Sequence, residues 1–368
     1  MSRTLRGMRC PPLAFTLVIH IGLLVGACAT KTPVPSVIPP PTPSPATASV
    51  SRSPTVAPPT LIGHPQVAFT SVLEAAPSPE TGSEANGHHT LFSIPIGKEG
   101  VRYEGQNVPE KEVWGPQGFT VAPDGAFWIV DSVGNRLLHY DATGHLLDRL
   151  DLDPHHVVGA ADVAVTDSHI LVLAISIPMV YRLSTEGESV ARYTVPPHLE
   201  GEISGITVGD HGEVILELGE GRSLFLLVDA DGKASQTGYY VPNKPTYASI
   251  EARGANRGHV VIGDQRVEII TTHALTGLRV LGITPAGSFY VRVSERTSTS
   301  PTQVSVTLRH YSTAGQLLGV AHVPVAEQHA YVPNGLALGP EGDVYALITL
   351  PDRVEIQRIV FRPAKEAP

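Results

Sequence analysis

Cysteine is nearly absent from this sequence. The chain of 368 residues contains only Cys10 and Cys28, and both lie within the first 28 residues. The remainder of the chain therefore cannot form an internal disulfide, and it offers no thiolate for catalysis or metal binding.

Charged and aromatic residues are also scarce, at 17% and 6% of the sequence, and the formal net charge is −9. Proteins that bind nucleic acid neutralise phosphates with clustered Lys and Arg, and we find no basic patch of that kind. We therefore expect no nucleic-acid partner. In contrast, 35 glycines and 33 prolines favour many turns between short strands over long helices.

The N-terminal segment has the pattern of an export signal. Three arginines precede an apolar run over residues 13–27, which is too short for a typical membrane span. The sequence Leu24-Val25-Gly26-Ala27-Cys28 resembles the lipobox of bacterial lipoproteins. That resemblance implies a signal peptide over residues 1–27 and a lipid on Cys28. An ordinary signal or an uncleaved anchor is the alternative.

Residues 28–89 are predicted to form a disordered stalk. Residues 29–60 contain 10 Pro, 5 Ser and 6 Thr, a composition that cannot bury enough apolar surface to fold. With the lipid, this segment predicts a protein displayed on the bacterial cell envelope, outside the cytoplasm and attached to the membrane.

Residues 116–152 contain a pattern of four short strands. Aromatic and β-branched residues alternate with turns at Phe119–Ala122, Phe127–Val130, Leu137–Tyr140 and Leu146–Leu150. The turn residues Gly125 and Gly144 suit hairpins that need a positive φ. Four antiparallel strands in fewer than forty residues are typical of one β-propeller blade.

The pattern recurs along the chain. The first turns of the first three copies, at Asp124, Asp167 and His211, are 43 and 44 residues apart, which is a spacing typical of propeller blades. Further copies cover residues 281–323 and 334–361, and an irregular one covers 247–276. The last copy lacks a fourth strand, which residues 90–96 could supply. We therefore predict an all-β, six-bladed propeller over residues 90–363, closed by an N-terminal strand and followed by a tail at 364–368. Five or seven blades are the alternatives, because the copy at 247–276 is irregular.

The first copy resembles NHL-repeat propellers. The matching residues are Pro116, Gly118, Val121, Asp124-Gly125, Val130, Asp131-Ser132, Asn135-Arg136, Asp141 and Gly144. The resemblance implies that Asp131 and Arg136 pair structurally within the blade.

Pro333-Asn334-Gly335 is similar to a motif of gluconolactonase and regucalcin-like propellers. In that family a Glu, two Asn and an Asp bind one divalent metal, usually calcium, in the central channel. The resemblance makes Asn334 a candidate ligand of Ca²⁺ or another divalent metal. The other ligands of that site do not appear in this sequence, and Gln117 stands where the family has its Glu. In addition, the positive charge of Arg279 would oppose the binding of a cation.

Known catalytic motifs are absent from the sequence, including the zinc-protease, serine-hydrolase, phosphate-loop and dinucleotide fingerprints. We therefore predict a monomeric, non-catalytic module without a cofactor that binds a protein, peptide or glycan. Its ligand is expected at the channel entrance, near Trp114, Gln117 and Asp162. The alternative is a metal-dependent, lactonase-like hydrolase of esters or lactones, with its site in the channel.

Overall fold

The computed structural model describes residues 88–364, apart from residues 109, 210, 222, 236–245, 253, 301 and 324–327. The predicted signal peptide, Cys28, nearly all of the predicted stalk and most of the tail lie outside the described residues. No helix within the described part is long and apolar enough to cross a membrane.

The described part is built almost entirely from β-strands, joined by tight turns and by two short 3₁₀ helices at Asp153–His155 and Pro197–Leu199. The strands are β1 (His88–Pro95), β2 (Gly118–Val121), β3 (Phe127–Asp131), β4 (Arg136–Tyr140), β5 (Leu146–Asp151), β6 (Ala160–Val165), β7 (His169–Ala174), β8 (Met179–Ser184), β9 (Ser189–Thr194), β10 (Ile203–Val208), β11 (Val214–Leu218), β12 (Ser223–Val228), β13 (Thr246–Ile250), β14 (Arg257–Ile262), β15 (Gln265–Ile270), β16 (Ala274–Ile283), β17 (Phe289–Thr299), β18 (Thr302–Tyr311), β19 (Leu317–Val323), β20 (Leu336–Leu338), β21 (Val344–Thr349), β22 (Arg353–Ile359) and β23 (Arg362–Pro363).

The strands form six antiparallel sheets, which confirms the predicted all-β propeller of six blades. Blades 1 and 2 are β2–β5 and β6–β9. Blades 3 and 4 contain three described strands each, β10–β12 and β13–β15. Blade 5 consists of β16–β19 with β23 as an added outer strand, and blade 6 consists of β20–β22 with β1.

The N-terminal strand closes the ring, as the missing fourth strand of the last copy predicts. β1 pairs antiparallel with β22, from His88 opposite Ile359 to Pro95 opposite Arg353. Ile94 is fully buried, and the Phe92 ring centroid lies 5.4 Å from that of Phe127 in blade 1. The closing strand therefore contributes both to the sheet of blade 6 and to the packing between blades 6 and 1.

Asp131 and Arg136 pair within blade 1, as the NHL resemblance implies. The Asp131 carboxylate is fully buried and accepts a hydrogen bond from Arg136 Nε at 2.8 Å. It also accepts from the backbone N–H of Arg102 at 3.0 Å, and Arg136 Nη1 donates to the carbonyl of Lys98 at 2.9 Å. The pair fixes the loop that precedes blade 1, and this loop leads into the central channel.

One end of the propeller, which we call the mouth face, includes the loops that enter blades 1, 2, 3 and 6 and the loops that join the second and third strands of blades 1 to 3. Backbone hydrogen bonds connect these loops, from Leu152 N to Asn135 O and from Ile175 N to Gly159 O, both at 3.0 Å. The mouth face includes residues 96–117, 132–135, 152–159, 175–178, 195–202, 219–221 and 328–335.

A polar cluster in the central channel

The inner strands bring three of the sequence-predicted residues together near the mouth face. Asn334 N donates to the carbonyl of Gln117 at 3.1 Å, which joins blades 6 and 1. A Cβ atom added to Gly118 would lie only 2.9 Å from Asp162 Oδ1 and 3.1 Å from Asn334 Cβ. Gln117, Asp162 and Asn334 therefore surround one point of the channel, and only glycine at position 118 leaves room for them.

Asp162 carries a buried carboxylate between blades 2 and 3. Its oxygens accept hydrogen bonds from the backbone N–H of Val163 at 2.9 Å and of Ile206 at 3.0 Å. Burial raises the pKa of Asp162 to about 7, although the two N–H donors and the nearby Arg279 guanidinium act in the opposite direction. The group can therefore change charge near neutral pH.

The raised pKa predicts that wild-type stability falls relative to an Asp162→Asn variant as the pH rises. The carboxyl group titrates near 3.8 when unperturbed and near 7 in the folded protein. Between these values the folded state binds more protons than the unfolded state, so the free energy of unfolding decreases with increasing pH. We expect the difference between wild type and Asp162→Asn to change by at least about 1 kcal/mol between pH 5 and pH 8.

Urea denaturation of both proteins at each pH measures this difference. Burial lowers the pKa of His139, His169 and His310, which makes stability rise with pH, but these histidines are present in both proteins and cancel in the comparison. A difference that stays constant from pH 5 to pH 8 would contradict the assignment.

Arg279, on β16, connects three blades at the centre of the channel. Its Nη2 atom donates to Glu217 of β11 at 2.5 Å, and Nη1 donates to Asn334 Oδ1 at 3.2 Å. The side chains of Arg279 and Glu217 are only 15% and 17% exposed. Because the pair is largely buried, removal of either partner would leave a poorly solvated charge.

The residues at Asn334 do not fit a divalent cation. The amide oxygen that would bind the metal accepts a hydrogen bond from the Arg279 guanidinium, whose positive charge repels a cation. The described residues also contain no group of three or more His, Cys, Asp or Glu side chains that could hold a metal ion.

A cavity of about 260 Å³ opens beside this cluster. Gln117, Arg279 and Asn334 line it together with Arg292, whereas Ile175, Ile203 and Tyr331 supply much of its apolar wall. Asp162 lies behind the cavity wall, close to Gly118. Trp114 is not part of the lining. It is 50% exposed on the mouth face, and its backbone pairs with Glu104.

Glu217 and Arg292 also belong to this site, although no motif in the sequence singled them out. Each is a charged residue within an otherwise apolar strand, Val214–Leu218 for Glu217 and the start of Phe289–Thr299 for Arg292. A charge in such a strand indicates a position that faces the channel instead of a neighbouring blade. That signal was available in the sequence.

The mouth-face loops carry six large apolar side chains that are 47% to 52% exposed. These are Val108, Trp114, Val158, Ile175, Ile177 and Tyr331. Ile175 and Tyr331 meet at the cavity. Gly115 packs close to Ala330, which places Trp114 beside the segment that carries Tyr331. Other exposed apolar residues, including Leu147 and Val190, lie on outer strands of the blades.

Residues 104–192 match a family described as a domain of unknown function, DUF7485, which covers less than half of the chain. A search among curated proteins finds no match. The chain is similar in structure to a virginiamycin B lyase of Staphylococcus aureus crystallised with quinupristin, at 15% identity and a TM-score of 0.40, covering 70% of this chain and 99% of that one.

Two further solved structures are also similar. A member of the DUF4221 family from Bacteroides vulgatus has 9% identity and a TM-score of 0.47, with coverage of 76% of this chain and 99% of that one. A glutaminyl cyclase of Myxococcus xanthus has 14% identity and a TM-score of 0.39, with coverage of 75% and 97%.

Proposed function

We propose that this protein is a lipid-anchored, extracytoplasmic binding module that takes a peptide or a peptide segment of a protein at its mouth face. The observation that carries the proposal is that six apolar side chains are exposed on the loops of that face, two of which, Ile175 and Tyr331, line one cavity. Exposed apolar side chains that are concentrated on one face mark an interaction site more often than isolated ones do.

The composition of the mouth face favours peptide binding. Aromatic residues dominate the binding energy of many protein interfaces, and Trp114 and Tyr331 are each 50% exposed here. The cavity next to Tyr331 offers a recess for one side chain or chain end of a ligand. A non-catalytic role is supported by Arg279, which donates a hydrogen bond to the amide oxygen of Asn334, the one candidate ligand for the metal of a lactonase-like hydrolase.

The anchoring part of the proposal rests on Cys28 and on the stalk over residues 28–89. We expect the protein to incorporate radiolabelled palmitate in a bacterial host and to fractionate with membranes. Cys28→Ser should abolish both results, whereas the matched variant Cys10→Ser should leave them unchanged. Equal labelling of wild type and Cys28→Ser would contradict the assignment of the lipid to Cys28.

Selection of peptides tests the binding part. A phage library of random dodecapeptides would be panned on the Cys28→Ser chain, which lacks the lipid. We expect the selected peptides to lose at least about tenfold in affinity for an Ile175→Ser/Tyr331→Ser variant, since truncation of central apolar contacts has effects of this size.

The matched control is Leu147→Ser/Val190→Ser, which removes apolar side chains of similar exposure from outer strands. Selected peptides should bind this variant within about twofold of wild type, as expected for residues outside an interface. The mouth face would not be the binding surface if the selection enriches no peptide. The same conclusion would follow if the selected peptides lose affinity only for the outer-strand variant.

A further inference from the structure

Two arginines stand directly opposite each other in blade 5. Arg279 of β16 pairs with Arg292 of β17 in the antiparallel register, and both line the cavity. Directly opposed residues have Cβ atoms about 4.5–5.5 Å apart, and like charges in such a pair are destabilising. A carboxylate beside each guanidinium would offset this repulsion.

Among the described residues, a carboxylate pairs with only one of the two arginines. Arg279 is neutralised by Glu217, at 2.5 Å. In the part of the chain that the structure describes, Arg292 makes no ion pair and no hydrogen bond, although it is partly buried. A guanidinium carries five N–H donors in a planar fork that matches a carboxylate, and no described residue accepts from those of Arg292.

The surroundings of Arg292 favour a small ligand with an apolar part. Ile175, Ile203 and Tyr331 line the same cavity. Its volume of about 260 Å³ is just below the roughly 300–1,000 Å³ of pockets that enclose drug-sized molecules. The space suits the last residue of a peptide or a small organic acid.

We infer that Arg292 binds the carboxylate of a ligand in this cavity, with the apolar part of the ligand against Ile175, Ile203 and Tyr331. The inference rests on the proposed function, because it assigns a free carboxylate to the ligand bound at the mouth face. The negative charge of the ligand would complete the arrangement in which each arginine of the opposed pair faces one carboxylate.

Glu220 provides an internal test of the charge argument. This exposed residue of blade 3 also lines the cavity, so its carboxylate repels an anionic ligand. Replacement of Arg292 and replacement of Glu220 should therefore change the affinity in opposite directions. A purely structural role for Arg292 would not produce this pattern.

The experiment compares N-acetyl-leucine with N-acetyl-leucinamide, by isothermal titration or ligand-observed NMR, on the Cys28→Ser chain. We expect the acid to bind at least tenfold more tightly than the amide. Arg292→Gln should reduce the affinity for the acid to that for the amide, Arg292→Lys should retain part of it, and Glu220→Gln should raise it by about two- to fivefold. The control Arg296→Gln changes an exposed arginine of the same strand outside this cavity and should have no effect.

Acetate and an N-acetylated dipeptide distinguish the sources of the carboxylate. Acetate binding as tightly as N-acetyl-leucine supports a small organic acid, and a tighter dipeptide supports a peptide C-terminus. Equal binding of acid and amide, or unchanged affinity in a folded Arg292→Gln variant, would overturn the inference. If the selected dodecapeptides still bind the mouth face in that case, the proposed function stands and only the inference about Arg292 is wrong. If N-acetyl-leucine binds at Arg292 but no selected peptide binds the mouth face, the inference stands and the proposed function is wrong.

Discussion

A chain that begins at residue 97, and therefore lacks β1, is expected to be largely unfolded at room temperature. The deletion removes seven residue pairs with β22 and the fully buried Ile94. It also removes the ring contacts that Phe92 makes with Phe127 and Tyr140. We expect the free energy of unfolding to fall by about 5 kcal/mol or more, which is comparable to the whole stability of many domains. Circular dichroism and urea denaturation measure the loss.

The matched control is a chain that begins at His88 and keeps β1. This truncation should unfold at the same urea concentration as a chain that retains the preceding residues. Within the strand, Ile94→Ala should cost about 2–5 kcal/mol, whereas a substitution of the exposed His89 should change stability by less than about 0.5 kcal/mol. A chain lacking β1 with unchanged cooperative unfolding would show that the ring does not depend on its closing strand.

Arg279→Met is expected to lower the free energy of unfolding by about 3–5 kcal/mol, because it leaves the Glu217 carboxylate with little solvent and without its partner. Glu217→Leu should have a similar effect, because it leaves the Arg279 guanidinium without its carboxylate partner. The double variant Arg279→Met/Glu217→Leu should recover most of the loss, since well-packed apolar residues can replace a buried ion pair at small cost.

Urea denaturation of the four proteins gives the double-mutant cycle. A coupling energy of at least about 1 kcal/mol is expected for two groups in direct contact. Single variants that lose less than about 1 kcal/mol, with effects that simply add, would show that the pair is well solvated. The peptide and N-acetyl-leucine assays on the double variant would then separate its structural role from ligand binding.

Local patterns explain why the fold could be predicted from the sequence. Each hairpin can be recognised in the sequence, because turns such as Asp124-Gly125 and Asp141-Ala142-Thr143-Gly144 need a residue that tolerates positive φ. In the structure, Gly125 and Gly144 have φ of +86° and +87°. Closure by the N-terminal strand could be predicted from the number of strands in each copy of the repeat. The last copy had only three strands, and a lone strand preceded the first copy. Both inferences use only neighbouring residues and a repeat length.

The candidate site was only partly predictable because it depends on how distant blades meet. Asp162, Glu217, Arg279 and Asn334 are far apart in the sequence, and the ring brings them together at one depth of the channel. The register of β16 was obscured by the irregular copy at 247–276, where only three strands, β13–β15, are described. The contact between Arg279 and Glu217 therefore required the structure.

The position of β1 has a mechanical consequence. Tension carried by the segment before residue 88 enters the domain through the strand that closes the ring, at its first residue pair, His88 and Ile359. A force along the strand axis loads all seven pairs at once, whereas a sideways force breaks them one after another. The direction of a pull applied at His88 therefore sets how much force the domain withstands before its ring opens.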